Sequence, residues 1–450
     1  MRSEADVPTS DPWVRVRRNY IIGLFISSMG EGMVFLTSSF LIFSLSGRAT
    51  FVAFIPVLTS LPSLVLAPVA NRLAHRFGGP RLYLFSQGSF FLLMLVPFAL
   101  DVAGHLTLAT LLGWYLVEGI VLGLGSPAIS LLRTVVTPKD GAAEFNGAAT
   151  RAITGATMVG ILVGGAVLAR TGPGAMYLLC ALGGVTLVAA VLPLRRHPHT
   201  AGASERRGLS EARAVVREIP DLRAAFRFTV MIFLLSGYAV TLPAVAASIG
   251  TRPIILSALQ AAVVGGGLFV MVGIRAVHRR ATWLSVQRAC LLAAALAITY
   301  LGWVALRDHQ PAWYLATALL AIVPLGFALN LDSSLLNAAV QVTAPSEMRS
   351  PVLTLYALIP MAALPASELL IGGFSDLTSP SVALLTLGIV ALGLVLLPRR
   401  LGNAASLARL DAQETFPDHA VTIGDIDDAG QPIAGQVIGP EIIIPEERFR

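Results

Sequence analysis

Apolar residues run along this chain in stretches of roughly twenty, each closed by a short polar or basic break, from residue 19 to residue 397. A hydrocarbon core of roughly 30 Å needs about 20 residues of helix per crossing, so each stretch predicts a membrane-spanning helix. The expected spans are residues 19–45, 51–74, 82–100, 106–132, 150–169, 175–194, 226–249, 253–276, 283–306, 311–340, 352–373 and 379–397. Prolines 56, 62, 68, 127, 243, 324, 360 and 365 fall inside them. Membrane helices tolerate such breaks where neighbours satisfy the freed carbonyls, so bent helices are expected.

Composition agrees with this pattern. Hydrophobic residues make up 55% of the chain and charged ones only 13%, and the mean hydropathy is +0.75. These values exclude a soluble globular domain and point to an all-α integral membrane protein. The first apolar run is too long for a signal-peptide core and lacks a small-residue cleavage site, so it reads as a retained first span. Cys180 and Cys290 each lie inside an apolar stretch, where a thiol behaves as a small hydrophobe, so neither a disulfide nor a metal site is expected.

The net charge of +6 does not call for nucleic acid. Basic residues gather on alternate loops: Arg15, Arg17 and Arg18; Arg72, Arg76 and Arg81; Arg133, Lys139 and Arg151; the central stretch; Arg275 to Arg288; Arg349; Arg399 and Arg400. The intervening loops carry little beyond Arg48, Arg170, Arg252 and Arg307. Such alternation predicts a multi-pass protein of the plasma membrane with both termini cytoplasmic. Lys139 is the lone lysine, a usage expected of a bacterium with GC-rich coding.

One long polar segment divides the spans six and six. The expected organisation is a cytoplasmic tail (1–18), a first six-helix bundle (19–194), a cytoplasmic linker (195–225), a second six-helix bundle (226–397) and a polar cytoplasmic tail (398–450). Within the linker, Leu209, Ala212, Val215, Val216 and Ile219 form one apolar stripe at helical spacing, which suits a short helix lying on the membrane surface; a plain solvated connector fits equally. The halves also echo one another. "VTPKD" precedes Gly164 and Gly165 by nearly the distance that separates "VTAPSE" from Gly372 and Gly373, as two like-oriented repeats would require. In the tail, "DIDDAG" lacks the bidentate glutamate that a calcium loop needs at its twelfth position; "AVTIGDIDD" and "GQVIGPEIIIPEE" could pair as a hairpin or remain disordered.

The loop "APVANRLAHRFGGPR" between the second and third spans resembles the signature Gly-x-x-x-Asp-Arg-x-Gly-Arg-Arg of the major facilitator superfamily, through Ala67, Asn71, Arg72, Ala74, His75 and Arg76. The resemblance implies a gating loop in which Arg72 and Arg76 brace helix ends, with Asn71 in the place of the acid. "ATMVGILVGG" in the fifth span is similar to the superfamily's exporter pattern Gly-x-x-x-Gly-Pro-x-x-Gly-Gly, matching at Gly160, Gly164 and Gly165. Glycines so spaced form a smooth face for a partner helix, and ordinary small-residue packing would produce the same pattern. In the fourth span "YLVEGIVLG" is similar to Arg-x-x-Gln-Gly, with Tyr115 for Arg, Glu118 for Gln and Gly119 matching. The loops after spans four and ten, with the linker, look similar to the enterobactin-exporter and macrolide-efflux branch. "GLGSPA" spells a dinucleotide fingerprint but follows no strand, and His197 and His199 have no accompanying metal ligands.

A carboxylate at the centre of a span costs roughly 2.5–3.5 kcal/mol on insertion scales, so it normally faces a bundle interior or a wet cavity. Glu31 and Glu118 lie near mid-span in spans one and four; Asp332 and Glu368 lie toward opposite ends of spans ten and eleven; Asn330 and Gln260 add neutral polarity. The superfamily resemblance implies that spans one and four line a central cavity, which makes the four acids candidates for proton coupling and Asn330 and Gln260 candidates for substrate contact. Interhelical hydrogen bonding is the alternative use of each. The function expected is proton-coupled efflux of a small amphipathic molecule by alternating access. A proton-linked uptake carrier, or a transport-inactive receptor acting through the acidic tail, remains the alternative. No catalytic residue, metal or cofactor is expected; the partners are the lipid bilayer, a small-molecule substrate and protons, with no nucleic acid and a monomeric state.

Overall fold

A computed structural model describes residues 12–138, 142–196, 209–250, 252–270, 283–306, 313–345 and 347–396. The candidate tail hairpin and the histidines of "RRHPH" lie outside these residues. Before the linker come α1 (Pro12–Ser46), α2 (Ala49–Phe77), α3 (Gly79–Leu93), α4 (Leu95–Val102), α5 (Leu108–Val136), α6 (Ala142–Thr171) and α7 (Pro173–Val191). The linker carries α8 (Leu209–Glu218). After it come α9 (Pro220–Leu235), a 3-10 turn (Ser236–Thr241), α10 (Leu242–Ile249), α11 (Pro253–Leu268), α12 (Trp283–Val304), α13 (Trp313–Thr343), α14 (Arg349–Leu377) and α15 (Pro380–Leu396). No strand occurs among the described residues. Among the described residues ten helical stretches are long and apolar enough to cross a membrane, and 253–268 and 380–393 are shorter apolar helices.

Two expected spans are broken, and the chemistry of proline accounts for both. Pro97 has no N–H to give the carbonyl four residues back, so α3 ends at Leu93 and α4 begins at Leu95. The indole of Trp114 on α5 donates to that Leu93 carbonyl at 2.9 Å. Pro127 likewise frees the Gly123 carbonyl, which accepts from the Ser126 hydroxyl at 3.2 Å, and α5 continues unbroken. Ahead of Pro243, Ala239 gives its carbonyl to the amide of Leu242, and the backbone tightens into the 3-10 turn between α9 and α10. Glycines in the left-handed region make the sharp reversals, Gly78 (φ 80°) between α2 and α3 and Gly172 (φ 84°) between α6 and α7.

Within the first group α1 packs on α6 and α7, α2 on α5, and α3 on α5 and α7; within the second α11 and α12 pack on α13, α12 on α15, and α9 on α13 and α14. The groups meet through α2 against α14 and α6 against α11. Asp376 near the end of α14 caps the start of α2, with Oδ1 accepting from the Ala49 amide at 2.8 Å and Oδ2 from the Thr50 amide at 3.1 Å. One turn earlier on α14, Gly372 lies against the Ala49–Thr50 backbone. These contacts lie at the end of the bundle opposite α8. The helix α1 begins ahead of the expected span because its basic end is tied down: Arg17 Nε donates to the Val136 carbonyl at the end of α5, at 3.0 Å.

Candidate functional site

Between the two groups of helices is a cavity of about 330 Å³ lined by α1, α2, the 3-10 turn with α10, α11 and α14. Its walls are mostly apolar. The polar groups that reach it are Ser39, Thr59, Tyr238, Gln260 and Glu368. Tyr238 is buried and within range of the charge on Glu368. Gln260 is 4% exposed, and its side-chain oxygen has no hydrogen-bond partner. An unsatisfied buried amide on a cavity wall is an acceptor held ready for a ligand's donor. The placement follows from the local sequence: the 3-10 turn imposed before Pro243 carries Tyr238, and α11 presents Gln260, Val263 and Val264 on one face at helical spacing.

The α1 wall extends beyond the cavity toward the α8 side. Phe35 and Ser39 line the space, and Glu31 stands one turn before Phe35 on the same face, with its side chain exposed. Ser27 donates to Glu31 Oε1 at 3.0 Å. Glu118 on α5 is buried, one carboxylate oxygen has no partner, and its charge and that of Glu31 are close enough to interact. Glu31 on α1 and Glu118 on α5 thus lie near one another, and neither is on the wall of the 330 Å³ cavity itself. Around them lie Tyr83, Tyr115, Tyr177 and Cys180, each within range of one or both charges. The Ser38 hydroxyl and the Tyr177 phenol are 3.2 Å apart, and the Trp114 ring packs edge-on against both Tyr177 and Tyr115. Sequence reading missed Ser38 and Tyr177; a serine run beside a mid-span acid was the available signal. Tyr115, which stands where the related motif carries an arginine, is buried in this aromatic cluster.

Asn330 and Asp332 diverge, because residues two apart on a helix point about 200° away from one another. Asn330 is exposed, donates to the Gly326 carbonyl at 2.7 Å and sits beside Gly267 of α11. Asp332 is 2% exposed and is turned into the second group. There it approaches Gln287 on α12 without closing a hydrogen bond, and Cys290 and Tyr356 lie within its range. It does not line the cavity that holds Glu368. Asn71, Arg72 and Arg76 are exposed on the last turns of α2, with the Arg76 guanidinium 5.5 Å from the centre of the Phe77 ring.

A sequence profile described as Major Facilitator Superfamily matches residues 20–367. The chain belongs to the major facilitator superfamily. It is a multi-pass membrane transporter and not an enzyme. No match is found among curated proteins. Among solved structures, this superfamily member is similar to the nucleoside transporter NupG, with 12% identity, TM-score 0.65, and coverage of 86% of this chain and 98% of that one. It is similar to a bacterial homologue of the iron transporter ferroportin in an inward-facing state, with 14% identity, TM-score 0.64, and coverage of 85% and 98%. A POT family transporter in complex with 5-aminolevulinic acid gives 12% identity, TM-score 0.61, and coverage of 86% and 96%. Identities this low speak for the fold alone.

In this superfamily member the glycines of the fifth span divide their contacts. Gly160 lies against the backbone of Met29 and Gly164 against Met33, both on α1, whereas Gly165 lies against Ser257 and Ile254 of α11, across the interface between the groups. A side chain at Gly160 would run into the Met29 carbonyl, which cannot move aside, while Gly155 on the same helix faces open space. Gly160→Val is therefore expected to cost about 1–3 kcal/mol by overpacking. Gly155→Val should be nearly neutral. Thermal unfolding of the two variants in detergent, followed by size-exclusion chromatography, checks the contrast; equal melting temperatures would mean that α1 and α6 do not approach as closely as described.

Proposed function

We propose that this chain exports a small amphipathic molecule in exchange for protons by alternating access, as the exporter branch resembling enterobactin and macrolide efflux proteins does. The reading is supported above all by one arrangement: a mostly apolar cavity at the interface of the two groups, with Gln260 and Glu368 on its wall and Glu31 one turn away on α1. An apolar chamber with a few directed polar groups suits a solute of mixed character. In this proposal residues 19–194 and 226–397 act as two rocking units of six crossings each, about twelve in all, in the plasma membrane with both termini cytoplasmic.

Glu31, Glu118 and Glu368 are assigned the proton-coupling role, and Gln260 and Asn330 the substrate contacts. Asp332, inside the second group, acts as a second proton carrier through α13. Arg72 and Arg76 grip the opposite half when the α8 side closes, with Asn71 as a neutral spacer, and Gly160, Gly164 and Gly165 provide the sliding face. The nucleoside and 5-aminolevulinic acid named for two similar structures are small organic solutes, which favours cargo of that size. A monomer suffices for this cycle.

Everted membrane vesicles decide the direction. With a proton gradient imposed, vesicles containing the protein should accumulate a cationic amphiphile such as ethidium, and an uncoupler should abolish the accumulation. Accumulation only in right-side-out vesicles under an inward proton gradient would identify an uptake carrier instead.

A further inference from the structure

A second, larger cavity of about 620 Å³ lies where the linker helix meets α9 and α14. It is a groove. Phe226, Val230 and Leu234 of α9, spaced one turn apart, form one wall, and Leu355 and Ile359 of α14 contribute to the other. Val230 and Leu234 are 39% and 40% exposed. One end is closed by α8, which adds Val216 and two guanidinium groups, Arg213 and Arg217.

The distribution of residues on α8 fixes the character of that end. At about 100° per residue, Ala212 and Val216 share the buried face, Arg213 and Arg217 share the flank that borders the groove, and Glu211 and Glu218 lie on the opposite flank. The helix packs on both α9 and α14, which places it where their spans leave the apolar layer. A trough that is greasy along its length and ends in two arginines one turn apart matches an acyl chain with an anionic phosphate at its head. Guanidinium groups bind phosphate oxygens in a bidentate manner, and basic amphipathic helices collect anionic lipid.

We infer that this groove is a binding site for one anionic phospholipid, with an acyl chain between α9 and α14 and its phosphate on Arg213 and Arg217. A lipid seated there bridges the linker helix to α14, the helix that also carries Glu368 and the Asp376 cap, and so ties the linker to the moving interface. The site needs only the membrane fold and does not depend on the direction or coupling of transport.

Native mass spectrometry of the full chain in detergent tests this with phosphatidylglycerol and phosphatidylcholine supplied in equal amounts. One phosphatidylglycerol adduct should be retained over phosphatidylcholine, and Arg213→Gln with Arg217→Gln should reduce it about tenfold, while Arg15→Gln with Arg18→Gln, the same loss of charge on α1, leaves it within about twofold. Val230→Trp, which fills the groove and keeps both arginines, should also displace the lipid. Inorganic phosphate should not compete, since it lacks the chain. Equal retention of the two lipids, an equal loss in the α1 double variant, or an undiminished adduct in Val230→Trp would each overturn the assignment.

Discussion

Glu31→Gln should remove the dependence of transport on the proton gradient, lowering gradient-driven accumulation about tenfold or more, which corresponds to about 1.4 kcal/mol of coupling. Solute exchange with no gradient should persist. The substitution preserves shape and the bond from Ser27, which can donate to an amide oxygen as it does to Oε1, so the fold is retained. What it removes is one of two interacting charges. Glu118 is buried with one oxygen unpartnered, and Glu31 stands exposed beside the cavity wall. Two ionised carboxylates within range of one another repel, and a cation entering between them relieves that repulsion. In the proposed exchange, a proton arriving from one side and a solute arriving from the other would compete for the same negative site, which is the thermodynamic requirement for antiport. With glutamine at position 31 the competition has only one charge to act upon. Proteoliposomes with an imposed pH gradient, with and without uncoupler, give the measurement; a variant that retains full gradient-driven accumulation would remove Glu31 from the coupling step.

Much of this fold was legible in the sequence because its strongest signal, apolar run length, is the one a bilayer enforces. The helices follow from it, and the short linker helix follows from the apolar stripe at helical spacing between Leu209 and Ile219. What could not be read were contacts between distant segments. The indole of Trp114 meets the Leu93 carbonyl because Pro97 frees it, and pairing those three residues requires knowing that α3 and α5 are neighbours. Rotation about a helix axis also escaped the sequence. Asn330 and Asp332 lie two residues apart on one span, yet they face different surroundings. Hydropathy reports depth in the membrane well and azimuth poorly, since a carboxylate facing a wet cavity and one facing a buried amide satisfy the same insertion constraint.

The second contrast that hydropathy hides concerns Asp376, whose replacement by alanine should open the end of the bundle away from α8. The first turn of α2 has no cap of its own, since its N-cap Arg48 makes no side-chain bond, and a helix start leaves backbone N–H groups seeking acceptors. Asp376 supplies them from across the interface, one carboxylate oxygen to each of two amides, with the helix dipole favouring its charge. Its exposure keeps the pair of bonds near the lower end of charge-assisted values, about 1–2 kcal/mol together. That is a five- to thirtyfold shift between closed and open populations. Gly372 makes the approach possible one turn earlier. Because these bonds exist only when α2 and α14 meet, their loss acts on the open–closed equilibrium more than on folding. A cysteine placed at Ser39, on the cavity wall, reads this equilibrium, since Cys180 and Cys290 are buried. In Asp376→Ala its labelling by a membrane-impermeant thiol reagent from the side away from α8 should accelerate by about that factor. Asp376→Asn keeps one acceptor oxygen and should fall between. Unchanged labelling together with a lowered melting temperature would make Asp376 an ordinary structural cap and leave the closure of this end to packing alone.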